Sequence, residues 1–294
     1  MDKRSIELEP LLGLSGSYGK ARYFYNLVVS KEYNTSYSYL TEEEAKSLSW
    51  YYHTKHNNIR QRFFSHRHAQ RVEHLINAIT QGTRVLDAGC GFGSESILCG
   101  IVGAQVVGVD LIEPWLNIAR KRLKFYESLL GRSMAVEFRG QSVLDMQESF
   151  DIIWSMESIS HIDPAERFVS FAYDHLHKGG RLIISDPNKL NPLIYFNAWK
   201  SARRAGGLHQ LFQDPRTGEM VPITQEKVFT VFSMKKLLLS KGFVIESVHH
   251  SGLLPYLPHL SIRQNNITFY LEKLVNPIWP RWLSGIYTIV ATKS

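Results

Sequence analysis

The ten residues Val85-Leu-Asp-Ala-Gly-Cys-Gly-Phe-Gly-Ser94 constrain this chain more than any other stretch. The apolar run that starts after Arg84 reads as a short buried strand, and the segment from Ser94 onward reads as a helix. Between them Gly89, Gly91 and Gly93 stand at alternate positions. A glycine-rich strand-to-helix turn lets the backbone approach a ligand and aims free N–H groups at it. Dinucleotide sites want G-x-G-x-x-G; here the third glycine comes one residue early and Ser94 takes its place. Asp87 precedes the first glycine, where a carboxylate repels a pyrophosphate and attracts a cation. Past a second apolar run, Gln105-Val-Val-Gly-Val109, comes Asp110, at the spacing of a carboxylate that takes ribose hydroxyls. The pattern asks for a ligand with a ribose, no phosphate and a positive charge.

S-adenosylmethionine has all three properties. The segments VLDAGCGFG, VVGVD and EPWLNIARKRL resemble the class I S-adenosylmethionine-dependent methyltransferases of the small-molecule type. The resemblance is close from Arg84 to Asp186 and loose over the last fifty residues. It implies an α/β, Rossmann-like fold: a seven-stranded, mostly parallel sheet with helices on both faces, its final strand antiparallel. It also implies cofactor contacts from Asp87 near the amino-acid moiety, from Gly89, Gly91 and Gly93 where backbone approaches, from Asp110 on the ribose and from Leu111 on the adenine. The family often carries an acid after its third strand, in GDVLD. Here the segment is Gly140-Gln-Ser-Val-Leu-Asp145, so Gln141 or Ser142 is left to meet the adenine amino group.

After the fourth strand, Trp154-Ser-Met-Glu-Ser-Ile-Ser-His161 resembles the Trp-Ser-Met-Glu-Ser…His segment of tocopherol methyltransferases and related plant amine methyltransferases. Glu157 and His161 are the catalytic candidates, because they stand at the carboxyl end of a strand, where open α/β sheets bind ligands. Histidine titrates unperturbed near neutral pH, which makes His161 the first candidate for a base. His209, His249 and His250 are weaker ones. Quinone O-methyltransferases carry Glu-x-x-Glu-His at this place and can hold a divalent cation, but Ser160 stands where the second acid would be. No metal is expected. His53, His56, His66, His68 and His74 match no structural zinc spacing either.

Residues 1–80 show no clean strand and read as an N-terminal helical cap, which in this family covers the active site. Thr41-Glu-Glu-Glu44 is a capping-box start for a helix through Tyr51, and a second helix runs over 58–80. The methyltransferase domain then occupies 81–294. Its strands read as 84–88, 105–110, 134–139, 150–156, 181–186, 243–249 and 287–292, and its helices as 94–102, 114–130, 164–177 and 233–241. Gly179-Gly180 reads as the stop of the third of these helices. Two insertions interrupt it, at about 188–230 and 253–285. In the first, Asn191 caps and Pro192 starts a helix to Arg204 that reads as a lid or a peripheral membrane contact. Tyr195, Phe196 and Trp199, with Trp279 and Trp282 of the second insertion, suit an apolar pocket. Arg203 and Arg204 suit a phosphate or carboxylate.

A net charge of +7 over 294 residues permits an anionic partner without choosing one. Base-amino methyltransferases grip a flipped base with Asn/Asp-Pro-Pro-Tyr/Phe after the fourth strand, a place held here by Trp154-Ser-Met-Glu157. Asp186-Pro-Asn188 follows the fifth strand instead, so no nucleic-acid partner is expected. Two cysteines, Cys90 and Cys99, and a start without an apolar run point to a cytoplasmic enzyme. The acceptor reads as a small, partly apolar molecule methylated on O, N or C; an RNA or protein methyltransferase and a non-catalytic cofactor-binding scaffold stay open as alternatives. The sequence is silent on oligomeric state.

Overall fold

The computed structural model describes residues 8–32, 39–52, 58–162, 164–196, 209–213, 220–224, 229–252, 267, 270, 274 and 280–294. Strand β1 (Arg84–Ala88) lies within a seven-stranded sheet, with β2 (Gln105–Asp110) and β4 (Phe150–Met156) parallel on either side. The full order is β3 (Val136–Gly140), β2, β1, β4, β5 (Leu176–Pro187), β9 (Ile286–Lys293), β8 (Phe243–Ser251). Strand β9 runs antiparallel to both of its neighbours. The Rossmann-like sheet expected from the sequence is therefore present, with its reversed last strand.

Strand periodicity divides the interior in two. Val85, Ile152, Trp154 and Ile183 face one side of the sheet, and Leu86, Ile153, Leu182 and Ile184 the other, all of them buried. The first side is covered by α5 (Ser94–Ile101), α6 (Glu113–Leu130) and the N-terminal helices α1 (Glu9–Gly13), α2 (Ser17–Leu27), α3 (Glu42–Tyr51) and α4 (Asn58–Asn77). The second is covered by α7 (Ala165–His175) and α8 (Val231–Ser240). Thr41 Oγ1 accepts from Glu44 N at 3.2 Å and Glu44 Oε2 from Thr41 N at 2.7 Å, the reciprocal cap that the sequence announces for α3.

Two expectations need correction. Helix α7 ends at His175, and Gly179-Gly180 is not its stop. Leu176 is drawn into the sheet opposite Phe150 and buried, and pairing resumes only at Arg181 opposite Ile152. The glycines lie in the resulting irregularity, where a Cβ on Gly180 would come 2.8 Å from His177 O and 3.0 Å from Asp151 O. The first insertion also holds a hairpin that the sequence reading lacks, β6 (His209–Gln213) with β7 (Met220–Thr224). Each strand has five residues, too few for alternation to stand out. Within 191–204, residues 192–196 are helical. His53, His56, Trp199, Arg203, Arg204 and Trp279 lie outside the described residues. Among the described residues no helix is long and apolar enough to cross a membrane.

Candidate active site at the carboxyl rim of the sheet

The carboxyl ends of β1, β2, β3 and β4 form one rim, and β1 delivers the glycine turn to it. Gly89, Gly91 and Gly93 are all left-handed, with φ of +77°, +50° and +74°. Their reasons differ. A Cβ on Gly89 would sit 2.5 Å from Ser158 Cβ in the turn after β4, and one on Gly93 2.5 Å from the Phe138 ring on β3. A Cβ on Gly91 would meet only the Trp115 ring, at 3.8 Å. Gly89→Ala is expected to cost roughly 1–3 kcal/mol in backbone strain plus the displacement of Ser158. Gly91→Ala, with room available, should cost less. Thermal unfolding of the two variants checks this, and equal losses would refute the distinction.

Asp110 is held against the turn by main-chain donors: Gly91 N to Oδ2 and Ile112 N to Oδ1, each 2.9 Å. Asp87 is buried at the end of β1 and accepts from Ser96 Oγ at 2.6 Å. A third acid, Glu95 in the first turn of α5, is buried beside them and accepts from Tyr25 Oη. Burial pushes all three carboxyls up. For Asp87 the charges of Glu95 and Asp110 add to burial and the value reaches about 8. Three acids raised together favour a positively charged ligand, which would relieve both burial and mutual repulsion. With a bare glycine turn and a fixed ribose-side carboxylate, this donor set fits S-adenosylmethionine.

The residues that the resemblance assigns to the adenine, Leu111, Gln141 and Ser142, follow β2 and β3. Leu111 follows Asp110 with 39% of its surface exposed, an apolar face for a flat ring. Gln141 and Ser142 leave β3 on the same rim, where Gly140 pairs with Asp110. Gln141 Nε2 donates to Met146 Sδ at 2.7 Å, and Ser142 Oγ accepts from Leu144 N at 3.2 Å, capping a short 3₁₀ turn.

The N-terminal helices are bonded directly to this turn. Arg122 of α6 is fully buried; it donates to Phe92 O inside the glycine turn and to Ser94 Oγ at 2.9 Å. Its charge is met by buried Glu32, to which Nε donates at 2.6 Å and Nη2 at 3.0 Å. Tyr39 and Tyr126 each donate to the same carboxylate at 2.7 Å. Tyr52 Oη hydrogen-bonds Ser94 Oγ. None of Tyr25, Glu32, Tyr52, Arg71, Glu95 and Arg122 was singled out by sequence reasoning. Glu95 was legible as an acid in the first turn of the glycine-turn helix. Arg122 was legible as a charge at the i+4 and i−4 positions of buried Ile118 and Tyr126, a pattern that signals a buried pair.

Across the turn lies the second half of the rim. Ser158 Oγ donates to Ala88 O at 2.6 Å, which seats the turn after β4 on Gly89. Glu157 precedes it and pairs with Arg71 of α4. The packed turn pushes the Glu157 carboxyl up, but Arg71, His68 and His161 more than offset this and hold it below its ordinary value. His161 is exposed at the end of a 3₁₀ turn, near enough to add to the lowering of the Glu157 carboxyl and to offset a little of the rise that burial gives Asp110. The structure thus brings Glu157 and His161 together with the cofactor turn. His249 does not join them: its ring stacks on His74 of α4 at 3.6 Å between centroids. His66 hydrogen-bonds Tyr18 at 2.6 Å and His68 stacks on Phe64.

A doubly wound sheet with this glycine turn and three buried or half-buried acids beside it is the architecture of a nucleoside-cofactor domain of the S-adenosylmethionine type. Residues 57–247 match the family model described as a methyltransferase domain, and the chain belongs to that family. It is 31% identical over 110 residues to the mitochondrial ubiquinone biosynthesis O-methyltransferase of Mus musculus, covering 37% of this chain and 30% of that protein. It is 36% identical over 112 residues to the ubiquinone biosynthesis O-methyltransferase of Xanthomonas oryzae pv. oryzae, covering 37% and 44%. The matched region spans less than half the length of these curated relatives. In fold it is similar to magnesium protoporphyrin IX methyltransferase from Synechocystis, solved with bound SAH, at TM-score 0.55 and 19% identity over 89% of this chain and 99% of that one.

Proposed function

We propose that this chain transfers a methyl group from S-adenosylmethionine to an O, N or C atom of a small, partly apolar metabolite: phenolic, amine, prenyl or lipid-like. The observation that carries the reading is the gathering of Asp87, Glu95 and Asp110 at a bare glycine turn, with Glu157 and His161 beside it across Ser158. When bound, the cofactor supplies an already activated methyl, so the work of the chain is mostly aim. Asp87 and Asp110 hold the cofactor side and Leu111 packs the base. His161 takes the proton of an acceptor that arrives protonated, and Glu157 orients that acceptor. The two curated relatives are O-methyltransferases by name, which favours oxygen within the proposed set. Leu193 and Tyr195, exposed at the start of the 191–204 segment, support a lid over an apolar acceptor or a peripheral membrane contact. A reducing, cytoplasmic setting suits the two buried free thiols, Cys90 and Cys99.

The test is transfer of a labelled methyl to total small molecules, RNA and protein in parallel. Label in the small-molecule fraction is expected. Label that follows nuclease- or protease-sensitive material instead would replace this reading with the macromolecular one, and no label in any fraction would favour a scaffold. In the same assay His161→Ala should lower turnover by roughly 10²–10⁴-fold with SAH affinity nearly intact, and higher pH should restore part of it. Turnover that falls only in step with SAH affinity would make His161 structural.

A further inference from the structure

Among the described residues Glu157 is the single non-glycine residue with a positive φ, +56°. A left-handed glutamate is strained and persists only where its surroundings over-determine it. Those surroundings converge on Arg71, whose side chain is 1% exposed. Arg71 Nε donates to Ser185 Oγ and Nη2 to Ser185 O, both at 2.9 Å, while Nη1 pairs with Glu157 Oε1. Glu157 N donates to the same Ser185 O at 3.0 Å. Ser185 Oγ in turn hydrogen-bonds Thr288 Oγ1 on β9 at 2.9 Å. One arginine from the N-terminal cap thus ties β4 and β5 together beneath the rim. The Glu157 side chain nonetheless keeps 46% of its surface open, one residue from the Ser158 that seats on Gly89.

Building on the methyltransferase reading, we propose that Arg71 is a positioning residue that turns the Glu157 carboxylate toward the acceptor, and that the site therefore takes acceptors bearing an O–H or N–H group rather than a carboxylate. Arg71 is sealed from the rim, and each of its three nitrogens is engaged by Ser185 or Glu157. An anionic acceptor approaching this turn meets a carboxylate, not a guanidinium fork. A hydroxyl or amine donates to the open side of Glu157, and the proton it sheds on methylation is taken up by that carboxylate and relayed to His161. Among the described residues, the charged and titratable groups facing Glu157 are Arg71 and His68 of α4 and His161 of its own turn.

The experiment uses the full chain and three variants, Arg71→Met, Arg71→Lys and Glu157→Gln, with SAH affinity measured for each by calorimetry. Labelled S-adenosylmethionine is then offered with simple phenols and primary amines and with the matching carboxylic acids. The Glu157 carboxyl is titrated by carbon NMR in the SAH complex. Expected are base-stable methyl products from phenols or amines and, in Arg71→Met, a loss of transfer of about tenfold or more with SAH affinity unchanged. Arg71→Lys should restore part of that transfer, and the Glu157 midpoint should rise in Arg71→Met. Preferred formation of base-labile methyl esters, parent-like transfer by Arg71→Met, or an unmoved Glu157 midpoint overturns the proposal while the methyltransferase reading stands. A parent that binds no SAH overturns that reading and this proposal with it. Should Arg71→Met not fold, Glu157→Gln carries the test: transfer must fall with SAH affinity kept, and parent-like transfer overturns the proposal.

Discussion

Asp87→Ala should weaken SAH binding by about 2–5 kcal/mol, the usual cost of truncating one partner of a buried charge pair, and Asp110→Ala by about 1.5–3 kcal/mol, the range for hydrogen bonds to a charged group. The two losses have different origins. Asp110 is fixed by Gly91 N and Ile112 N, so its removal takes away a ribose acceptor and frees one donor of the glycine turn and one of the loop after β2. Asp87 offers the charge that an ammonium needs, and it does so only when ionised. Burial first, then Glu95 and Asp110, raise its carboxyl from 3.8 to about 8. A protonated acid cannot pair with a cation, so SAH affinity should fall as pH drops below about 8, by at most roughly tenfold per unit. Above that value it should level off.

The sign for the empty fold is opposite. A folded-state value above the ordinary one means that the folded chain holds this proton more tightly than the unfolded chain. Stability of the empty protein should therefore decline as pH climbs from the carboxyl range toward 8, and SAH should offset the decline. Calorimetry across pH 6–9 on the parent and on Asp87→Asn checks both signs. A pH-independent affinity in the parent, or wild-type binding by both alanine variants, would overturn the assignment of the cofactor site.

Arg122→Met should be the most destabilising single change among these residues. It removes the arginine that meets the charge of fully buried Glu32, and it takes away the bond from Arg122 to Phe92 O in the glycine turn. Breaking a buried pair from one side costs about 3–5 kcal/mol, on the order of 10 °C in Tm for a domain of this size. The double change Glu32→Leu with Arg122→Met removes both charges, and most of the lost stability should return. Because the bond from Arg122 to Phe92 O is still lost, SAH affinity should stay reduced in the double variant. Thermal unfolding and SAH calorimetry on both variants separate the two effects, and an Arg122→Met protein that melts with the parent would sink the account.

Much of the site was legible because its logic is local. Asp87, the three glycines and Asp110 lie within twenty-four residues; their spacing departs from the dinucleotide pattern, and their charges favour a cation on a ribose. The alternation of short apolar runs with amphipathic ones was enough for the sheet, since strand and helix periods differ and a fully buried parallel strand has little polar residue to confuse them. Gly179-Gly180 misled for the same reason: a glycine pair after a helical run is a good local stop signal, yet tertiary pairing of Leu176 with Phe150 ended the helix two residues sooner.

What the sequence by itself determined is the chemistry of the first turn, the identity of the strands and the candidacy of Glu157 and His161. What only the tertiary structure decided is which distant side chains complete them. Arg71 and Glu157 are 86 residues apart, Arg122 and Glu32 are 90, and Tyr25 and Glu95 are 70. Each pair ties a polar group of the helix-rich cap to the sheet or to the helices that follow its first strands. A buried charge is tolerated only where a specific partner meets it, and no periodicity records that partner. Chain folding supplies it, by packing the N-terminal helices over the same face of the sheet that carries the glycine turn.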